Sequence, residues 1–413
     1  MLIALSIKLN LDIVHLDVCT AFLNGFLEKP VFMRQPDGFI SPEKHSTKVC
    51  RLKKAIYGLK QSSRAWNTRI NTFLLNLGYI KSQYEPCLYI KRAKNCFIVI
   101  ALYVDDLIIF SNSVSETNNL KLALSGEFKI KDLGEAKRVL GMEIIRDKDK
   151  GIIQICQRDY INKVLNKFKM ENCKPVKTPM EVNPIFDQNV VSDKNYPYRN
   201  LIGSLMYLVV LTRPDLCYSI SFLSQYNNCY NSSHWTQAKR VLQYLQKTKD
   251  YCLTFSKDDK EIEGFVDADW GEDIKDRKSY SGFVFKMSNG SISWESKKQK
   301  SVSLSSTEAE YVAISECFKE AIYLQNLCSE IMGSFCKVSI YNDSQSAQKL
   351  IFNPVFHKRT KHIDIRYHFI RDIVANDLFS ICYMPSEEMC ADVLTKSLSY
   401  IKHDKFIRLL GLS

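Results

Sequence analysis

No two of the fourteen cysteines in this 413-residue chain stand in a Cys-x-x-Cys pair, and they form no regular framework. That spacing excludes a zinc ribbon and a disulfide scaffold, and it suits reduced thiols in a cytosolic or nuclear setting. Long apolar runs are missing as well. The apolar start, Met1 to Ile7, is too short for the core of a signal peptide and has no cleavage site. The longest apolar segment is cut by Asp105 and Asp106, so no membrane span is expected. Histidine is scarce, at seven residues, and His357, His362 and His368 follow one another at spacings that fit neither one helical face nor a zinc pattern. They read as surface or structural residues. Repeats and low-complexity tracts are absent. Acid is absent from Lys44 to Arg69, a stretch with eight Lys and Arg residues interleaved with Tyr57 and Trp66. Together with a formal net charge of +12, this points to a polyanionic partner, because each neutralised phosphate releases condensed counterions. A hydrophobic content of 46% over this length allows large cores and two or three domains.

What is present is acid in unusual places. Residues 97–110, Phe-Ile-Val-Ile-Ala-Leu-Tyr-Val-Asp-Asp-Leu-Ile-Ile-Phe, read as a strand, a tight turn and a return strand, with Asp105 and Asp106 at the tip. An ordinary Asp-containing turn gives the same pattern. Paired acids on a rigid tip also suit Mg²⁺, which prefers hard oxygen ligands, and two such ions about 4 Å apart serve phosphoryl transfer. A third acid, Asp17, closes another short β-like run within residues 11–25 that then turns toward a helix.

The order of elements predicts an α+β unit from Leu2 to about Lys174, with amphipathic helices at Arg64 to Leu77 and Arg158 to Phe168. Prolines at 175, 179, 184 and 197 mark a loop or linker. Three consecutive helices are expected at Tyr198 to Leu211, Leu216 to Gln225 and His234 to Thr248. After Glu261 the pattern becomes strand, hairpin, helix, strand, helix. Gly282 to Met287 and Ser291 to Glu295 flank Ser288-Asn289-Gly290, and Asn-Gly between β-like runs signals a hairpin. A long helix over Ser305 to Ile331 and a strand over Lys337 to Tyr341 follow. Helices over 361–375 and 386–398 then flank a strand from Phe379 to Tyr383.

Asp17 with Phe22, followed by Tyr103 to Asp106, resembles motifs A and C of a reverse transcriptase palm. Lys54 to Trp66, Tyr198 to Leu208, Thr212 to Asp215 and nearly everything after Gly264 resemble copia-type retrotransposon polyproteins, so the likeness covers essentially the whole chain. It implies a reverse transcriptase palm with partial fingers over 1–175 and a linker with helical thumb or connection over 176–258. An α/β ribonuclease H domain over 259–400 and a C-terminal tail over 401–413 complete the expected organisation. The catalytic acids it implies are Asp17, Asp105 and Asp106 in the palm and Asp267, Glu310, Asp343 and Asp392 in the ribonuclease H region. Each set would hold two Mg²⁺ or Mn²⁺ ions. Phe22 would sit beneath the incoming sugar and exclude a 2′-hydroxyl, with a core Phe as the plain alternative. Tyr57 and Gly58 would approach the nucleotide and template, and Lys53, Lys60 and Arg64 would contact phosphates. Glu308, three residues after Ser305, has the spacing of a capping-box partner. Glu310 directly precedes the apolar Tyr311-Val312-Ala313, as the family's catalytic Glu precedes its own apolar run, so the resemblance makes it the catalytic choice. Asp269, one strand period from Asp267, reads as supporting or structural.

The same resemblance implies an RNA template, a DNA primer, RNA–DNA hybrid and deoxynucleoside triphosphates as partners, association with other retroelement Pol or Gag products, and residence in a cytoplasmic particle or the nucleus. Related polyproteins carry fingers upstream of the point where this sequence starts, so it is expected to be a fragment, a processed piece or a truncated genomic copy. A remnant that binds nucleic acid without synthesis, or a structural subunit beside a complete partner, would have the same sequence features.

Overall fold

The computed structural model describes the chain apart from residues 41–47, 95, 185, 187–194, 274, 353–363 and 376–378, and apart from the side chains at 364, 365, 367 and 375. Contacts divide the described residues into a unit of 9–136 and a unit of 1–8 with 137–413. Helix α1 (Leu2–Lys8) therefore belongs to the second unit.

The first unit is built on a mostly antiparallel sheet. Its strands are β1 (Asp12–Val18), then, beyond a small β2 (Phe32–Met33) and β3 (Cys50–Arg51) ladder, β4 (Ile80–Lys81), β5 (Leu88–Ala93), β6 (Cys96–Tyr103), β7 (Asp106–Ser111) and β8 (Ile130–Glu135). The six strands of the large sheet run in the order β4-β5-β6-β7-β1-β8. Alternate residues of the central strands, Leu16 and Val18, Ile98, Ile100 and Leu102, and Leu107 and Ile109, point to one face and join one buried cluster. Helix α2 (Ser62–Asn76) covers that face with Trp66, Ile70 and Leu74, a four-residue spacing that makes one stripe on a helix. Helix α3 (Val114–Glu127) adds Leu120 and Leu124, and its start is fixed by the Ser113 hydroxyl accepting from the Glu116 N–H. The predicted hairpin is present. Tyr103 pairs with Asp106, so Val104 and Asp105 form a two-residue turn, and Val104 takes a φ of 53°, a strained value for a β-branched residue.

The second unit carries a four-stranded sheet, β12-β11-β10-β9, made of β9 (Arg138–Val139), β10 (Met142–Asp147), β11 (Ile152–Cys156) and β12 (Leu253–Ser256). Helix α4 (Arg158–Lys167) follows β11. The three expected helices are α5 (Tyr198–Leu211), α6 (Cys217–Ser224) and α7 (Ser232–Lys247). A five-stranded sheet then runs β15-β14-β13-β16-β17, built from β13 (Ile262–Ala268), β14 (Tyr280–Met287), β15 (Gly290–Lys298), β16 (Val338–Asn342) and β17 (Phe379–Tyr383). The first three strands are antiparallel, and β13-β16-β17 are parallel. The long helix α8 (Ser306–Met332) lies against β13 and β14. Ser305 caps its start, and Gly333, at φ 72°, ends it in the left-handed conformation. Helices α9 (Gln345–Phe352), α10 (Asp364–Ala375) and α11 (Tyr400–Leu409) complete the fold.

Three local expectations change. The hairpin turn is Ser288-Asn289, at φ 51° and 62°, while Gly290 already begins β15; there a Cβ would come within 2.5 Å of the Phe255 ring, so close packing requires the glycine. In place of a helix over 386–398 there is a short 3-10 turn, Cys390–Leu394. All five of its residues are buried, which leaves no solvent face for an amphipathic helix. Residues expected as a tail form α11, and Leu412 bridges to Leu253.

One buried polar cluster ties this unit together. Arg213 forms a bidentate pair with Asp215 at 2.9 and 2.7 Å and donates to the Thr248 carbonyl at 3.1 Å, while the Tyr244 hydroxyl donates to Asp215 at 2.8 Å. Burial alone would raise the Asp215 pKa, yet the Arg213 charge and hydrogen bonds outweigh it and hold it below the usual carboxylate range. Asp215→Ala is expected to cost about 3–5 kcal/mol, because it leaves the guanidinium buried and unpaired. Chemical denaturation of the full chain checks this, and the cost should shrink as pH falls through the depressed native pKa, where the wild-type carboxylate is itself protonated.

Candidate active sites

In unit 9–136 the register of β1 against β7 sets Asp17 directly opposite Asp106. Asp105 sits in the adjoining turn, held by its carbonyl accepting from the Val18 N–H at 2.8 Å and by the Trp66 indole donating to the Val104 carbonyl at 2.7 Å. The three predicted palm acids thus occupy one end of the sheet. Their side chains are not idle. The Tyr57 hydroxyl donates to Asp105 Oδ2 at 2.8 Å, and His15 Nε2 donates to Asp106 Oδ1 at 2.7 Å. Asp105 Oδ1 is buried without a hydrogen-bond partner, an oxygen in want of a cation. Burial, with the bond to Asp105, raises the Tyr57 pKa, so this phenol stays protonated and donates.

Phe22 lies in a short 3-10 turn, Ala21–Asn24, after β1, packed on the sheet cluster with its ring 4.7 Å from that of Tyr57. It is partly exposed while packed against the core cluster. Gly25 lets this turn approach α2: a Cβ there would stand 2.9 Å from Ala65 Cβ. Gly58 takes a φ of 93°, which glycine adopts without strain, and a Cβ there would meet no protein atom within 4 Å. Lys53, Lys60 and Arg64 are exposed, whereas Lys44 lies outside the described residues.

The second constellation is tighter. Parallel pairing sets Phe265 beside Tyr341, and the same register carried two residues further brings Asp267, near the end of β13, level with Asp343, just past β16. Helix α8, lying on β13, delivers Glu310. Ligand atoms of Asp267, Glu310 and Asp343 lie within 4.8 Å of one another, the one such group of three or more His, Cys, Asp or Glu among the described residues. Glu310 accepts from the Ala268 N–H at 3.4 Å and from Asn342 Nδ2 at 3.2 Å. Thr395 donates to Asp267, and Ser386 to Asp343. Asp392, in the buried 3-10 turn, stands beside this triad and not within it: its Oδ1 is 3.0 Å from Lys396 Nζ, which is also 3.5 Å from Asp267. Oxygen donors alone, clustered and preoriented, fit divalent magnesium or manganese.

Crowded acids titrate late. Burial, then the charges of Asp267 and Asp343, lifts Glu310 well above the usual carboxylate range. Burial also raises Asp343, and burial with Asp267 pushes Asp392 up to about 7. Burial alone would lower Lys396, but Asp267 and Asp392 reverse that and raise it.

Two expectations about neighbouring acids can be placed. Glu308 Oε2 accepts from the Leu304 N–H at 2.8 Å, while the Ser305 hydroxyl accepts from the Glu308 N–H at 3.2 Å, so Ser305 caps α8 and the Glu308 side chain ties down the residue before the cap. Asp269 accepts from the N–H groups of Tyr280 and Glu272 and shapes its loop. His368 is exposed, and His357 and His362 lie outside the described residues. Sequence reasoning missed His15, Lys396, Thr395 and Asn342. His15 was findable, being one strand period before Asp17, and so was Lys396, four residues after Asp392.

The raised acids fix the sign of a pH effect. An unfolded carboxylic acid loses its proton near pH 4, whereas these retain theirs in the fold, so the metal-free protein loses stability as pH rises from about 4 through the raised native values. Bound cations reverse the penalty. Mg²⁺ is therefore expected to raise the melting temperature more at pH 8 than at pH 5.5, and Glu310→Gln to stabilise the metal-free chain at pH 8 while shrinking the Mg²⁺ response. Thermal melts with and without Mg²⁺ read both.

No helix among the described residues is long and apolar enough to cross a membrane. Residues 1–182 match the family model for reverse transcriptase (RNA-dependent DNA polymerase). The chain is 40% identical over its whole length to the retrovirus-related Pol polyprotein from transposon TNT 1-94 of Nicotiana tabacum, covering 32% of that protein. It is 37% identical over 99% of its length to the Pol polyprotein from transposon RE2 of Arabidopsis thaliana, covering 28% of it. It thus spans about a third of these polyproteins. A putative transposon Ty5-1 protein of Saccharomyces cerevisiae is matched over its entire length at 33% identity, using 74% of this chain. Among solved structures, the foamy viral protease-reverse transcriptase in complex with RNA/DNA hybrid matches with a TM-score of 0.50 over 91% of this chain and 44% of that one, at 13% identity, a likeness of fold. With a reverse transcriptase model matched over residues 1–182 and curated relatives 33–40% identical, the chain belongs to the copia-type retrotransposon Pol family.

Proposed function

We propose that this chain is an RNA-directed DNA polymerase joined to a ribonuclease H, copying an RNA template from a DNA primer and cutting the RNA of the resulting RNA–DNA hybrid. The observation that carries the reading is the approach of Asp267, Glu310 and Asp343 donor atoms to within 4.8 Å in a fold where each comes from a different element. Mg²⁺ or Mn²⁺, two ions per site, would activate an attacking oxygen and stabilise the leaving one. Asp267, Glu310 and Asp343, with Asp392 beside them, would hold the ions in the ribonuclease H site, and Thr395, Asn342 and Ser386 keep those carboxylates oriented. Asp17, Asp105 and Asp106 would do the same in the palm.

Phe22 would exclude a 2′-hydroxyl, selecting deoxynucleotides by a clash. Tyr57 and Gly58 would line the nucleotide, and Lys53, Lys60 and Arg64 would contact backbone phosphate without reading sequence. The setting would be a retroelement particle in the cytoplasm, or the nucleus, alongside other Pol or Gag products.

A labelled RNA–DNA hybrid tests the nuclease half with the full chain. Cleavage is expected in Mg²⁺ or Mn²⁺, with single-stranded RNA and duplex DNA largely spared, since the 2′-hydroxyl and the mixed helix shape mark the substrate. Asp343→Asn and Glu310→Gln should abolish cleavage and keep hybrid binding, whereas Glu308→Gln should keep cleavage and lose about 0.5–2 kcal/mol of stability, as helix caps do. No cleavage by demonstrably folded protein would instead support a remnant that binds nucleic acid without catalysis.

A further inference from the structure

We propose that His15 is a positioning residue for nucleotidyl transfer, holding Asp106 in the geometry in which it and Asp17 share a divalent cation. The inference rests on the polymerase reading above and adds a residue to it. Asp17 and Asp106 face each other across the β1–β7 ladder, where opposing side chains stand about 4.5–5.5 Å apart at Cβ and like charges repel. Something must hold them there before a cation arrives. His15 lies two residues before Asp17, on the same side of β1, opposite Ile108 and hence diagonal to Asp106. From there its Nε2–H reaches Asp106 Oδ1 at 2.7 Å. One carboxylate oxygen is committed to the protein, and Oδ2 is left to the ion. Because the donor comes from the strand that carries Asp17, the bond also locks the spacing between the two acids.

The other side-chain hydrogen bond at this site has a different character. The Tyr57 donor to Asp105 is 50% exposed, so its phenol can swing aside when an ion or nucleotide takes its place. His15 is 8% exposed and sits in a strand, with no room to leave. It acts as the outer partner of a metal-ligating carboxylate, and loss of such a partner weakens metal binding by about 10–100-fold.

The test uses the full chain with His15→Ala and His15→Gln, primer extension on an RNA template, and Mn²⁺ binding followed by electron paramagnetic resonance in a background carrying Asp343→Asn and Glu310→Gln, which quiets the second site. His15→Ala is expected to raise the half-saturating Mg²⁺ concentration about tenfold, leave the nucleotide KM at saturating Mg²⁺ unchanged, and weaken Mn²⁺ binding in parallel. His15→Gln, whose amide can donate to the same oxygen, should restore most of that affinity. A merely structural histidine would lower the melting temperature and the yield of active protein without moving the Mg²⁺ midpoint. An unchanged midpoint in folded His15→Ala, or an equal loss in His15→Gln, overturns the proposal. Should wild-type protein extend no primer, the polymerase reading fails on its own account, and the Mn²⁺ titration still decides the role of His15: unchanged affinity in His15→Ala refutes it, and a tenfold loss supports it.

Discussion

Carboxylates crowded together in a partly buried site repel one another and lose hydration, and both penalties fall on the fold before any cation compensates them. Everything of interest in this chain answers that constraint. In the first unit a central antiparallel ladder sets Asp17 opposite Asp106, with Trp66 pinning the turn that carries Asp105. In the second, two parallel strands and the long helix bring in Asp267, Asp343 and Glu310. Rigid elements supply the convergence. Hydrogen-bond donors from His15, Tyr57, Thr395, Asn342 and Ser386 then take up individual oxygens of Asp106, Asp105, Asp267, Glu310 and Asp343, so these five carboxylates are oriented by the protein.

The two sites bear the constraint differently. In the second unit's site Lys396 lies 3.5 Å from Asp267, so one ammonium offsets part of its charge, while Glu310, Asp343 and Asp392 keep protons to unusually high pH. In the first unit the His15 imidazole and the Tyr57 hydroxyl donate to Asp106 and Asp105. The Arg213–Asp215 pair shows the opposite solution to burying charge, a bidentate partner with a further bond to the Thr248 carbonyl inside the second unit. That pair is structural: it anchors α7 through Thr248 and Tyr244 to the start of α6.

Much of this was legible in the sequence because it obeys period and punctuation. The break at Asp105 and Asp106 between two apolar runs became a two-residue hairpin, and the Ser305 to Glu308 spacing became a helix cap. That spacing marked Glu308 for the helix start, while the likeness of the apolar run after Glu310 to the family's motif marked Glu310 for the site. The resemblance to copia-type polyproteins placed the remaining acids, which periodicity could not have joined, since Asp267 and Asp392 are far apart in the chain. What was not legible depends on tertiary burial. The turn at Cys390–Leu394 reads as helix from its composition, but it is enclosed on all sides and tightens to a 3-10 turn beneath Gly282, where a Cβ would meet Leu394 at 2.6 Å. Strand period could place His15 on the side of β1 that carries Asp17, but the pairing that aims it at Asp106 is a property of the register, set by the whole sheet.

The central claim is that both acid clusters are built to hold divalent ions. The most direct measurement is anomalous scattering from crystals of the full chain grown with RNA–DNA hybrid and Mn²⁺. The account predicts Mn²⁺ peaks ligated by Asp267, Glu310 and Asp343 and by Asp17 with Asp105 and Asp106, the latter with the Tyr57 hydroxyl displaced from Asp105 and His15 still bonded to Asp106. Ordered carboxylates at both places with no Mn²⁺ between them, or Mn²⁺ bound only elsewhere, would contradict it.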